Sequence, residues 1–343
     1  YPNIRPHGLY CVAFLSKYKT TWIILCGLFI SKYKPHGLYR VVFLYKIIFK
    51  GVFFMTGIVS VVTQSLILSI MVLGIYISYK ILDFPDLSVD GSFSLGGAII
   101  ALSLTNGLSP IVGTLLALIC GLISGLITGI LHIKLKISNL LSGILVMGML
   151  YSINLGIMGK SNIPLFTYNH LFNIHISPPI LAIVIVLCCK FILDLFLTTG
   201  LGYTLKAVGD NPQMVKSLGI DIDIIKILGL MLSNALVALS GSLFAQFQGF
   251  SDVNMGIGTL VLGIASIIIG VSLFKRLTFI KATTATLVGT FIYQFTIYFA
   301  INLGIVPPNN LKLMTSAVII LFLSASNLNI FTSRNDNHKN LKK

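Results

Sequence analysis

Nine apolar runs, separated by short polar loops, follow one another along most of this 343-residue chain. A helix needs about 20 apolar residues to cross the hydrocarbon core of a membrane. Only 10% of the residues are charged, whereas a soluble domain carries about 25%. The sequence therefore predicts an all-α polytopic membrane protein with eight or nine transmembrane helices, of which the second and seventh are the weakest. The runs span residues 58–79, 91–106, 109–131, 137–158, 179–199, 224–247, 257–274, 280–302 and 311–331.

The first 54 residues differ from the rest of the chain. They carry eight of the 24 basic residues and no acid, and they repeat themselves as RPHGLYCVAFLSKYK and KPHGLYRVVFLYK. The remaining positive charge is spread over loops between apolar runs, which argues against a nucleic-acid-binding groove. We expect Met55 to be a natural start. The expected parts are a basic extension 1–54 outside the core fold, a transmembrane domain 55–331 and a basic cytoplasmic tail 332–343.

The basic residues of the loops predict the orientation, because Lys and Arg concentrate on the cytoplasmic side of a membrane. If residues 200–223 lie inside, thirteen basic residues after residue 55 fall inside, and two, Lys160 and Lys312, fall outside. The C-terminus is then cytoplasmic and the external loops are nearly uncharged. These external loops are 159–178, 248–256 and 303–310, and the inside residues are Lys80, Lys134, Lys136, Lys206, Lys216, Lys226, Lys275, Arg276, Lys281, Arg334, Lys339, Lys342 and Lys343.

The stretch ILDFPDLSVDGSFSLGG, 81–97, combines three Asp residues with Pro85 and Gly91. Pro and Gly interrupt helices, and acidic side chains in lipid are costly. We therefore expect a turn here that leads into a broken second helix. In this interpretation Asp90 caps a helix that starts near Ser92.

Polar side chains also recur inside the apolar runs. An amide in a membrane helix either bonds a neighbouring helix or lines a pathway, and the residues alone leave both open. The segment AQFQGFSDVNMGIG, 245–258, predicts an external gate or a re-entrant segment. Lys190 and Asp194 are four residues apart on one helix, so we expect a structural ion pair. The candidate pathway residues are Asp86, Asp90, Asn154, Asn234, Gln246 and Gln248.

Small residues predict close helix packing at one place. Gly121, Gly125 and Gly129 repeat every four residues, a spacing that lets membrane helices approach closely. We expect these glycines to pack inside the protein or between copies. The five Cys residues form no CxxC pair and three lie in apolar runs, which predicts buried packing instead of a metal or redox site.

Enzyme motifs are missing from the sequence. MGKSN, 158–162, matches part of a P-loop, yet Asn154 stands where that motif requires Gly. The Ser residues do not form GxSxG, and the His residues do not form HExxH. We therefore expect a transport protein without catalytic residues, cofactor or metal site.

One polar stretch, TLKAVGDNPQMVKSLGI at 204–220, interrupts the apolar pattern. Asn211 is a good N-cap, Pro212 suits the first helical position, and Gly219 suits the residue after the C-terminus. The stretch therefore predicts a cytoplasmic helix PQMVKSL of about two turns, which is marginal alone and needs a partner surface. We expect Met214, Val215 and Leu218 to form one small apolar face of this helix.

The same stretch resembles the cytoplasmic coupling loop of bacterial ABC importer permeases of the branched-chain amino acid and ribose permease superfamily. LDFPDLSVDGSF, 82–93, and LSNALVALSGSLFAQFQGFSDVNMGIGTLVLGIASIIIG, 232–270, resemble a subgroup encoded with lipoprotein-like binding proteins. The resemblance covers about 55–330. It implies these ATPase-coupling residues: Lys206, Ala207, Val208, Gly209, Asp210, Asn211, Pro212, Met214, Val215, Leu218 and Gly219.

The resemblance also implies partners and a location. Two permease copies form the pathway in the bacterial plasma (inner) membrane, two separate ATPase subunits bind the short helices, and an extracytoplasmic substrate-binding protein delivers the solute. The chain has no ATPase motif of its own, which agrees with a separate ATPase. The few acids and several amides suit a small solute such as an amino acid.

Two other classes of membrane protein fit parts of the sequence. An ion-coupled secondary transporter, acting through Asp86, Asp90 or Asp194, is the main alternative. Such folds usually contain two inverted repeats with matching broken helices, and none is visible in the sequence. A membrane scaffold would need neither the intramembrane amides nor a capped cytoplasmic helix.

Overall fold

The apolar runs form helices in the computed structural model, which describes residues 57–173, 177–274, 281–302, 313, 315–317, 320 and 324. Seven described helices are long and apolar enough to cross a membrane, and an eighth, at the seventh run, is shorter. The prediction of an all-α polytopic membrane protein is confirmed. Most of the ninth run, the extension 1–54 and the tail 332–343 lie outside the described residues.

The helices are numbered in chain order, and two of them, α6 and α7, are short and lie between spans. The last six residues of α1, Tyr76–Ile81, are wound as a π-helix. The helices are α1 Gly57–Ile81, α2 Ser88–Thr105, α3 Pro110–Lys134, α4 Asn139–Met158, α5 Pro178–Leu197, α6 Gly200–Asp210, α7 Pro212–Ser217, α8 Ile222–Gln248, α9 Thr259–Phe274 and α10 Ala282–Asn302.

Local residues explain where several helices begin and end. Thr199 and Asp221 accept hydrogen bonds from the first turns of α6 and α8 through their side chains, which satisfies amides that a helix leaves free. Helices α4 and α8 end at Gly159 and Gly249, which adopt left-handed backbone with φ of 63° and 76°. Glycine occupies that region without a steric penalty.

Helix α8 packs against both α2 and α3, and glycines make these contacts close. A Cβ atom at Gly125 of α3 would collide with the carbonyl oxygen of Leu230, and one at Gly121 would lie 2.5 Å from that of Asn234. The predicted packing role of the glycine stripe is therefore confirmed, and its partner is α8 of the same chain.

Contacts between loops show which ones lie at the same end of the helices. Strand β1, Asn162–Pro164, pairs antiparallel with β2, Phe250–Asp252, so the two loops that were predicted to be external do meet. At the other end, α6 approaches the backbone of Ile81 and Leu82 at Gly209. The turn between α1 and α2 therefore lies beside the predicted cytoplasmic segment.

Two expectations are wrong in detail. The predicted turn at residues 82–87 is present, but α2 runs without a break from Ser88 to Thr105, so the interruption precedes the second helix. The cysteines are less buried than predicted: Cys188 is exposed, and Cys120 and Cys189 are half-buried. A thiol needs no hydrogen-bond partner, so an apolar run does not fix the face on which it lies.

Candidate functional site

Asn234 is the centre of a buried hydrogen-bond network that joins α2, α3 and α8. Its amide nitrogen donates to Asp86 Oδ2 at 2.8 Å and to the carbonyl oxygen of Leu230 at 3.1 Å. Its amide oxygen accepts from Ser88 Oγ at 3.2 Å and from Ser92 Oγ at 2.7 Å. Both donors and both acceptor positions of the amide are therefore used.

The network has no contact with solvent in this conformation. Ser92 Oγ lies 2.7 Å from Ser124 Oγ of α3, and Asp86, Asn234 and both serines are fully or almost fully buried. Asn234 lies about 18 Å along α8 from its first residue at 1.5 Å per residue. The network therefore joins the start of α2 and the interior of α3 to the middle of α8.

Asp86 lies in the connection between α1 and α2, outside the spanning helices. Burial raises the pKa of its carboxyl, and the hydrogen bonds from Ser88 and Asn234 oppose that rise. The backbone N–H of Ser88 donates to Asp86 Oδ1 at 2.8 Å. Asp86 thus fixes the start of α2 and holds it against α8.

Asp90 caps a helix that is distant in sequence. Its Oδ1 accepts from the N–H of Leu260 at 2.8 Å and from Thr259 Oγ1 at 2.9 Å, and its Oδ2 accepts from the N–H of Gly258 at 2.9 Å. The prediction that Asp90 caps its own helix near Ser92 is wrong, because α2 already begins at Ser88. Asp90 instead completes the N-terminus of α9.

The segment before α9 lies along α2 instead of projecting from the helices. Val253 packs with Ala98, and the N–H of Gly256 donates to Ser94 Oγ at 3.0 Å. Gly256 also lies so close to the backbone of Asp90 that a Cβ atom would collide with it. Of the two predicted arrangements for residues 245–258, these contacts favour the re-entrant segment.

Asn154 lies beside Asp90 across a small cleft. Its amide nitrogen donates to the carbonyl oxygen of Gly91 at 3.3 Å, and its amide oxygen has no hydrogen-bond partner among the described residues. The cleft has about 30 Å³ of free volume. Its lining includes Asp90, Ser94, Tyr151, Asn154, Val253 and Ile257.

The two candidate glutamines lie near the C-terminus of α8, apart from the other candidates. Gln246 is buried, and its Oε1 accepts from the N–H of Leu171 at 3.1 Å while its Nε2 donates to the carbonyl oxygen of Ser242 at 3.3 Å. Gln248 is half-buried. Gln246 therefore anchors the loop between α4 and α5 in this conformation.

The predicted ion pair of α5 is present, and it extends to a second helix. Lys190 Nζ lies 2.8 Å from Asp194 Oδ2, and the Lys281 ammonium lies 3.4 Å from the same oxygen. Thr283 Oγ1 donates to Asp194 Oδ1 at 2.7 Å. Asp194 thus links the end of α5 to the start of α10, which fits the structural role predicted for the pair.

The stretch that is predicted to be cytoplasmic forms α7 with the predicted caps. Asn211 Oδ1 accepts from the N–H of Met214 at 3.1 Å, Pro212 takes the first helical position, and Gly219 follows the helix with φ of 76°. The apolar residues do not share one free face, however. Val215 is 1% exposed and belongs to the core, whereas Met214 and Leu218 are 59% and 66% exposed.

Sequence reasoning missed α6, the helix that precedes α7. Thr199 caps it, and its buried residues Leu205 and Val208 are spaced as on one helical face. Lys206 Nζ donates to the carbonyl oxygen of Leu197 at 3.1 Å, so this lysine closes the end of α5. The periodicity of residues 200–210 was the signal that could have revealed the helix.

Residues 57–323 match the family described as "Branched-chain amino acid transport system / permease component". The match covers more than half of the chain. The chain belongs to this family. It is therefore a permease of an ABC-type transport system and a multi-pass membrane protein.

The permease is also similar to individual curated proteins. It is 72% identical over 276 residues to the tyrosine transport system permease protein of Clostridioides difficile, a match that covers 80% of this chain and 93% of the relative. It is 36% identical over 277 residues to an uncharacterised protein of Rickettsia prowazekii, a match that covers 79% of this chain and 98% of that protein. It is 27% identical over 198 residues to the autoinducer 2 import system permease protein of Photorhabdus laumondii, a match that covers 54% of this chain and 56% of that protein. No solved structure matches the chain.

The candidate residues of the permease fall into three groups in space. Asp86 and Asn234 bond each other, Asp90 and Asn154 share the small cleft, and the glutamines lie near the opposite end of α8. The serines that complete the Asn234 network were not predicted. Serine is common in membrane helices, so its presence in the sequence does not single out a site.

Proposed function

We propose that this permease forms the pathway of an ATP-driven importer for an aromatic amino acid such as tyrosine. The relative that is 72% identical, and matched over 93% of its length, carries the name of a tyrosine transport permease. The chain itself is not an enzyme in this proposal, since ATP hydrolysis belongs to separate subunits. No finding favours the ion-coupled alternative.

The complete importer contains two copies of this permease, two ATPase subunits and an extracytoplasmic substrate-binding protein. The resemblance of residues 82–93 and 232–270 to the lipoprotein-associated subgroup supports a lipid-anchored binding protein. The importer lies in the bacterial inner membrane, with the C-terminus of the permease in the cytoplasm. The basic loops support this orientation, because Lys and Arg are concentrated on the cytoplasmic side.

The exposed apolar side chains of α7 carry the coupling part of the proposal. Met214, on the six-residue helix α7, and Leu218, the residue that follows it, are 59% and 66% exposed, and both lie outside the spanning helices. An exposed apolar pair on an otherwise polar segment is typical of an interface. We infer that these two side chains enter a groove on the ATPase.

The contacts of α6 and α7 offer a route from the ATPase to the pathway. Val215 anchors α7 in the core, and Gly209 of α6 lies against the backbone of Ile81. The connection that follows Ile81 holds Asp86, which bonds Asn234. A push on α7 would therefore move the start of α2 relative to α8.

Replacing both Met214 and Leu218 with Ser tests this assignment. We expect the variant to enter the membrane normally, because both side chains are exposed. Its affinity for the ATPase subunit and the rate of ATP-dependent tyrosine uptake into proteoliposomes should each fall at least tenfold. Gln213→Ala is the matched control, since Gln213 is exposed on the same helix. Unchanged ATPase binding by the double variant would contradict the docking role.

A further inference from the structure

The small cleft between α2, α4 and the re-entrant segment is rich in hydrogen-bond acceptors. Its lining includes four polar residues, Asp90, Ser94, Tyr151 and Asn154. These four residues come from two different helices, α2 and α4, and the third wall is formed by Val253 and Ile257. The cleft is therefore a product of the fold and not of one short sequence motif.

Asn154 provides an acceptor that has no partner. The side chain is 0% exposed, and its Oδ1 has no hydrogen-bond partner among the described residues. The amide cannot be turned over, because this would bring its oxygen to the position 3.3 Å from the carbonyl oxygen of Gly91 that Nδ2 now occupies. A buried acceptor without a partner costs about 1–3 kcal/mol, so a donor at this position would be stabilised.

Asp90 adds a negative charge that no cation of the described residues balances. Its three donors are two backbone N–H groups and the hydroxyl of Thr259. The ion pairs found in the described part of the chain both involve Asp194. The N-terminus of α9 offsets part of the charge, but the cleft still attracts a positive group.

The size of the cleft limits what can enter it. Its cavity volume is about 30 Å³, and a cavity of about 10–15 Å³ on the same measure already holds one water molecule. A whole amino acid does not fit, whereas a single ammonium group is close to a water molecule in size. The ammonium group also carries three donors and a positive charge, which match the acceptors of Asp90 and Asn154.

We propose that this cleft binds the ammonium group of the amino acid as it passes through the permease. The inference rests on the proposed function, since it requires an amino acid as the solute. The remainder of the solute would lie outside the cleft, beside the exposed side chains of Tyr151 and Ile257. A bound water molecule or a sodium ion are the competing occupants.

Charged thiol reagents test the cleft without relying on the selectivity of the binding protein. In the assembled importer with all native cysteines changed to Ser, Tyr151→Cys places a thiol in the cleft lining. Asn169→Cys is the control, because Asn169 is exposed and lines an external cleft without charged residues. The readout is the rate of modification by 2-aminoethyl methanethiosulfonate, a cation, divided by the rate with 2-sulfonatoethyl methanethiosulfonate, an anion.

We expect this cation-to-anion ratio to be at least tenfold higher at position 151 than at position 169. Asp90→Asn should reduce the difference to less than threefold while an amide oxygen still caps α9. Tyramine, which keeps the ammonium group, should slow modification at position 151. An analogue of tyramine with a carboxylate in place of the ammonium group should not slow this modification. In the Asn154→Leu variant, tyramine should no longer protect position 151.

Three outcomes would overturn the proposal: equal ratios at the two positions, protection by sodium chloride as strong as by tyramine, or protection that survives Asn154→Leu. ATP-driven tyrosine uptake by the same cysteine-free protein is measured in parallel. Uptake without cation preference refutes only the ammonium site. Cation preference with tyramine protection, but without uptake of any amino acid, supports the ammonium site and refutes the proposed solute.

Discussion

The network around Asn234 buries polar side chains, whereas helix α7 exposes apolar side chains. Around Asn234, polar side chains are buried and each finds a partner on another helix. On α7, the apolar side chains of Met214 and Leu218 are exposed and the polar cap of Asn211 is local. The first arrangement is complete within the chain, whereas the second leaves apolar side chains exposed, as the proposed docking to an ATPase requires.

This difference indicates where each region obtains its stability. Polar groups within a membrane protein must bond each other, because lipid offers no hydrogen bonds. Their partners therefore determine how α2, α3 and α8 pack. Helix α7 has only six residues, and a helix of this length is marginal alone. Its buried residue Val215 attaches it to the core. Substitutions around Asn234 should consequently reduce stability, whereas substitutions of the exposed residues of α7 should reduce ATPase binding.

The largest effect is expected from Gly125→Val, which breaks the packing on which the Asn234 network depends. The new side chain would collide with the backbone of Leu230 and Met231 on α8. Because backbone atoms cannot move aside as a flexible side chain can, we expect a loss of stability of about 3 kcal/mol, the upper end of the usual range for overpacking. Gel filtration and thermal unfolding in detergent measure this loss of stability.

The control for this prediction is Gly148→Val on α4. A Cβ atom at Gly148 has no heavy atom within 4 Å, so the same change of residue should leave the elution profile and the unfolding temperature almost unchanged. Equal losses in the two variants would show that valine itself, and not the contact between α3 and α8, is responsible.

Asn234→Leu should have the next largest effect. The leucine keeps the approximate volume but leaves Asp86, Ser88 and Ser92 without their shared partner. We expect a loss of about 2 to 3 kcal/mol, since unpaired buried polar groups are costly. Thermal unfolding of Asn234→Leu, Asp86→Leu and the double variant measures the coupling. A double variant whose loss equals the sum of the single losses would contradict the network.

The sequence predicted local features well and distant contacts poorly. The caps at Asn211 and Gly219 depend on neighbouring residues alone, and the structure confirms both. Asp90 was assigned to the nearest helix, yet its carboxylate bonds Thr259 and Leu260, about 170 positions later. A capping preference does not specify which helix is capped, because that depends on tertiary packing.

The orientation of side chains on a two-turn helix was likewise beyond the sequence. Met214, Val215 and Leu218 are all apolar, and nothing in their order shows which of them faces the core. In the structure Val215 packs in the core, whereas Met214 and Leu218 are exposed. The face of the glycine stripe was predictable because its spacing of four matches the helical repeat, which the short α7 cannot display.

A smaller effect is expected at the cap of α9. Asp90→Ala removes three acceptor contacts, and loss of a helix cap costs about 2 kcal/mol at most. Hydrogen exchange should speed up at the amides of Gly258 and Leu260, with little change in α8. Asp210→Ala is the control, since Asp210 is exposed at the end of α6. Unchanged exchange in Asp90→Ala would contradict the cap.

The smallest effects are expected on α7, where stability and coupling should separate. Val215→Ala removes two buried methyl groups and should cost about 1.5 kcal/mol at about 0.8 kcal/mol for each. Met214→Ala should change the free energy of unfolding by less than about 0.5 kcal/mol, because its side chain is exposed. ATPase binding should show the reverse order, with the larger loss in Met214→Ala. If Val215→Ala weakened ATPase binding more than Met214→Ala did, α7 would act through its attachment to the core, and the exposed apolar side chains would not form the interface.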